Sequence, residues 1–141
     1  MDDLSPAYLS ALAAQLGGLS AFLGGFAATF LGMLLARRAD GKTASLSIGF
    51  AVSSSVAFIV TVVASTALVA GLHPEAPSAA PAAGSGGARV LLVLSFLFGL
   101  YSLLASLALS GWARSRGTGL TTSIAAGIGI VLVTMMVVGV N

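Results

Sequence analysis

Side chains able to do chemistry are scarce in this chain, and their spacing limits what they can do. The one histidine, His73, stands two positions before Glu75. Such a pair would need further ligands from a partner to hold a metal, and with no cysteine in the chain there is no thiolate to add to it. Two solvated polar residues at a helix end is the plainer reading. The serines have no convincing base: His73 lies in a Pro/Gly-rich stretch, away from the apolar segments that hold most of the hydroxyls, and no acid is embedded beside them. Gly84-Ser85-Gly86 lacks the strand-to-helix setting and the lysine of a phosphate loop. Met135 and Met136 have no histidine or cysteine nearby, so they read as adaptable packing groups, not metal ligands. The expectation is a protein that is not an enzyme, with no catalytic, cofactor or metal site.

What does recur is hydroxyls and small residues at helical spacing. Ser47, Ser54, Thr61 and Ser65 fall in one narrow helical sector, where they could line a polar path or bond to their own or a neighbouring helix. Phe58 shares that sector and would obstruct a simple wet stripe. Ser95, Gly99, Ser102 and Ser106 make a second small-residue face, with Phe96, Phe98 and Tyr101 largely turned away from it. Gln15 is the one amide in the long apolar runs, and a packing hydrogen bond is its expected role.

Composition dictates the elements that carry these residues. Of 141 residues, 57% are hydrophobic and 7% charged, where a soluble domain carries about a quarter charged residues. No water-facing surface can be built from that inventory, so lipid must cover it. Four apolar runs at 5–38, 44–72, 89–114 and 119–140 are each long enough to span a bilayer. They predict an all-α integral membrane protein, a single membrane domain over 1–141 built as a four-transmembrane-helix antiparallel bundle. Ser5-Pro6 reads as a helix start, Gly41 suits a reversing turn, Gly71 and Pro74 mark a stop, and Thr121 or Thr122 is placed to cap the last helix. Residues 73–88, rich in Pro, Gly and Ala, predict a mobile extramembrane loop.

On the first helix Ala11, Ala14, Gly18, Ala21, Gly25, Ala28 and Gly32 recur at alternating spacings of three and four, with Leu12, Leu16, Leu19, Leu23, Phe30 and Leu34 on the other side. Small residues let backbones approach, so this stripe is expected to be a helix seam, within the chain or between copies.

Charge placement sets an orientation. Arg37, Arg38, Lys42, Arg114 and Arg116 lie in the two short turns, while the other side holds Arg89 with Asp2, Asp3 and Glu75. Basic short loops stay cytoplasmic, which puts both termini and the 73–88 loop outside a cell membrane, with Trp112 and Tyr8 at headgroup depth. The acidic start also lacks the basic segment of a cleavable signal, so the first helix is expected to be retained. The stretches ARRADGKTASLSI and ARSRGTGLTTSI are alike enough to allow two tandem hairpins.

No ionisable side chain sits at hydrocarbon depth, which argues against a proton-coupled pump. A net charge of +2 is no nucleic-acid footprint. The expected function is a small integral-membrane interaction or structural subunit, self-assembling as a homo-oligomer or joining a larger membrane complex, with the lipid bilayer as its other partner. The alternative is an oligomeric channel or passive small-solute conduit lined by the Ser/Thr face of the second or third helix.

Overall fold

A computed structural model describes residues 5–36, 41–74 and 86–139. These form four helices, α1 (Pro6–Ala36), α2 (Lys42–Gly71), α3 (Gly86–Trp112) and α4 (Arg116–Gly139). All four are long and apolar enough to cross a membrane. At about 1.5 Å per residue, the 31 residues of α1 reach about 46 Å and the 24 of α4 about 36 Å, against a hydrocarbon layer of about 30 Å. The outward faces carry large apolar side chains throughout, among them Phe22, Ile59, Val63, Leu94, Leu132 and Met136. That is the surface of a transmembrane helical class of fold.

Local chemistry explains the helix ends. Ser5 opens α1, its Oγ accepting from the Tyr8 amide at 3.3 Å, with Pro6 in the first turn where no amide is needed. Gly41 precedes α2 with φ +128° and ψ 163°, a conformation open only to glycine. Three starts lie earlier than expected: α2 by two residues, at Lys42, and α3 and α4 by three each. α3 takes in Gly86, Gly87 and Ala88, which the composition had assigned to the loop. Ala88 packs against the cluster of Ala13, Ala64, Leu68 and Leu92, and that contact outweighs the backbone entropy of the glycines. α4 begins at Arg116 because Ser115 caps it, its Oγ accepting from the Thr118 amide at 3.2 Å. Thr121 and Thr122, the expected caps, sit inside the helix and donate to carbonyls one turn back. Residues 75–85, most of the expected loop, lie outside the described residues, as do Arg37 and Arg38.

Each helix runs antiparallel to the next, but the bundle is open. α2 and α3 form the central pair, α1 lies along α2 and touches the edge of α3, and α4 packs on α3 alone; among the described residues α1 and α4 do not meet. Phe58 is the centre of the arrangement. It is fully buried on α2 between α1 and α3, and packs with Ala27, Leu103, Leu23 and, edge to face at 6.2 Å, Phe96. A Cβ on Gly24 would stand 3.2 Å from the Phe58 Cβ, and one on Gly99 would stand 3.1 Å from its ring. Two glycines, one from each neighbouring helix, make the space for this ring.

Candidate functional site

Hydroxyls on α2 and α3 meet along the central seam. Ser47 Oγ donates to the Ser106 carbonyl at 2.9 Å, and Ser106 Oγ donates back to the Ser47 carbonyl at 2.7 Å. One register further along, Ser54 Oγ donates to the Gly99 carbonyl at 2.9 Å. Thr61 Oγ1 and Ser95 Oγ lie 2.9 Å apart and make the third rung, each also within reach of a carbonyl on its own helix, Ala57 at 2.9 Å and Leu92 at 3.2 Å. Ser65 Oγ donates to the Val62 carbonyl at 2.8 Å and lies against Gly17 of α1. The Ser47, Ser106 and Ser54 bonds reach main-chain acceptors across a small-residue contact, the arrangement that lets two apolar helices adhere where no hydrophobic drive exists between them.

Ser47, Ser54, Thr61 and Ser65 are therefore brought together, but as a closed seam and not as an open lining: each is at most 3% exposed. Ser95, Gly99, Ser102 and Ser106 form its α3 side, with all but the partly covered Ser95 buried.

The small-residue stripe of α1 is not the face that packs within this chain. Ala11, Ala14, Gly18, Ala21, Gly25, Ala28 and Gly32 are all exposed, and a Cβ added at Gly18, Gly25 or Gly32 would meet nothing within 4 Å. The side against α2 is instead the row Leu9, Ala13, Gly17, Ser20, Gly24 and Ala27, flanked by Leu16 and Leu23, which join the two core clusters. Leu23 thus faces inward. Gln15 is exposed beside the outer stripe and makes no hydrogen bond to any described residue. Ser20 Oγ is fully buried without a partner.

The α3–α4 contact uses the face of α4 on which Ser123, Gly127 and Thr134 recur at helical spacing. Gly111 lies against Thr122, and Gly119 lies under Trp112, where a Cβ would come within 2.7 Å of the indole. Trp112 Nε1 donates to Ser123 Oγ at 2.8 Å, while the indole stays about half exposed, so the residue expected at the headgroups also ties two helices together. Tyr101 and Thr134 bond through their hydroxyls at 2.8 Å near the other end. The recurrence of glycine opposite a bulky or hydroxyl residue at 99, 111 and 119 is the signal that could have located these contacts.

At the end where the short turns lie, a cavity of about 510 Å³ opens between α1 and α4, floored by α2 and α3. Lys42, Trp112, Arg114 and Arg116 are exposed at that end, and Arg114 lines the cavity. The paired carbonyls and hydroxyls of the seam place no charge in it, and the chemistry the arrangement supports is adhesion and recognition. No protein-family model, curated protein or solved structure matches the chain.

Proposed function

We propose that the protein is a small, non-catalytic integral-membrane subunit that self-assembles or joins a larger membrane complex, with its basic turns on the cytoplasmic side of a cell membrane and its termini and 73–88 loop outside. The observation that carries this reading is the outer face of α1. Its own chain leaves a seven-member stripe of alanine and glycine uncovered, with open space above Gly18, Gly25 and Gly32. Lipid tails gain nothing from such a stripe, whereas a second helix can approach it closely and also satisfy the Gln15 amide beside it.

A conduit lined by the α2 or α3 hydroxyls would first have to part the central pair and break its three rungs. The assembly reading leaves that pair intact. Mild detergent extraction of the full chain, followed by particle mass measurement, tests it. Wild type is expected as a multiple of the 13.9 kDa chain or as a stoichiometric complex, and Gly25→Leu is expected to reduce it to smaller particles with helix content unchanged. An unaltered particle in Gly25→Leu overturns the reading.

A further inference from the structure

The cavity lies between α1 and α4, which flank the central pair with no close backbone approach to one another. Its volume of about 510 Å³ falls inside the range of roughly 300–1,000 Å³ typical of small-molecule sites. Phe30 and Leu34 of α1 and Ile48 of α2 give it apolar walls, Thr118 and Thr122 of α4 add hydroxyls, and Arg114 lies at its rim. The first turn of α2 also ends here: Gly41 offers its amides no side-chain acceptor, and Ala44 lines the cavity. The positive end of a helix dipole therefore adds to the guanidinium.

A free anion would use the charged rim and leave the apolar walls in contact with water. An amphiphile uses both, and the outer faces of the flanking α1 and α4 are apolar. We propose that this cleft binds an anionic phospholipid, with the phosphate at Arg114 and one acyl chain against Phe30, Leu34 and Ile48. This rests on the membrane embedding proposed above, but not on self-assembly through α1.

Native mass spectrometry of the full chain extracted from membranes tests the site, using phosphatidylglycerol and phosphatidylcholine with identical acyl chains. Recovery of the chain in the membrane fraction checks embedding separately, before any lipid is added. Phosphatidylglycerol is expected to be retained in preference, and Arg114→Gln to lower its retention about tenfold, as for the loss of one charge-assisted contact. Ser110→Leu, which fills the cavity and costs only a bond to the Leu107 carbonyl of the same helix, is expected to abolish retention of both lipids. Arg116→Gln, outside the lining, should leave retention unchanged, and excess inorganic phosphate should not displace the lipid. Equal retention of the two lipids, equal losses in Arg114→Gln and Arg116→Gln, displacement by inorganic phosphate, or full retention in Ser110→Leu each overturns the proposal.

Discussion

Two serines of nearly equal burial make opposite contributions. Ser54 is fully buried and donates across the central seam to the Gly99 carbonyl; Ser20 is fully buried on α1 with its oxygen unpartnered. A hydroxyl kept from solvent without a partner bears its desolvation cost, about 1–3 kcal/mol, with nothing returned. Ser20→Ala is therefore expected to stabilise the fold by about 1 kcal/mol. Ser54→Ala should destabilise it by about 0.6–1.7 kcal/mol, the range for hydrogen bonds between membrane helices. Equilibrium unfolding in mixed detergent reads both, and a loss of stability in Ser20→Ala would mean that its hydroxyl is used. The sequence reveals the spacing of these residues but not this difference, since a periodic serine looks the same whether or not a carbonyl stands opposite it.

Helix number, order and approximate extent were legible because each apolar run is long and carries charge only at its ends. The working face of α1 was not, and the reason lies in its doublets. Gly17-Gly18 and Gly24-Gly25 start two parallel rows of small residues about a third of a turn apart, and either row satisfies the same three-and-four spacing. What decides between them is the partner: Gly17 fits Ser65 and Gly24 fits Phe58, whereas Gly18 and Gly25 face open space. The helix thus offers one small row to its own chain and leaves a second outside. Adjacent substitutions separate the two. Gly24→Leu forces a branched side chain against the Phe58 Cβ at the tightest point of the core and should lower stability by about 1–3 kcal/mol, the usual cost of overpacking. Gly25→Leu should leave stability close to wild type while changing particle mass. Matching stability losses in the two would mean that both rows are engaged within one chain. The α3 start was hidden for a different reason: glycines at 86 and 87 look like linker until the contact of Ala88 with the α1–α2 core is known.

An open arrangement has consequences for the whole molecule that a closed bundle would not. With α4 held by α3 alone and α1 by α2 and the α3 edge, both outer helices keep most of their surface for lipid or for other chains, and the charged residues are left to the ends. Antiparallel order then places Ala36, Gly41 and 113–115 at one end and Pro6, Gly86 and Gly139 at the other. In the sequence, five basic residues lie in or directly beside the two short connections, a count expected to bias them toward the cytoplasm. The absence of cysteine from the chain makes this open to a clean test, because any introduced thiol is the only one. Ser78→Cys is expected to react with a membrane-impermeant maleimide on intact cells. Asp40→Cys should react only after permeabilisation, and it leaves every basic residue of the turn in place. Labelling in the reverse pattern would invert the orientation and move the Arg114 cleft to the outer leaflet. Labelling of both sites on intact cells would instead break the α1–α2 hairpin, because a turn and a loop at opposite ends of one 30-residue helix cannot both lie outside if α2 spans the bilayer.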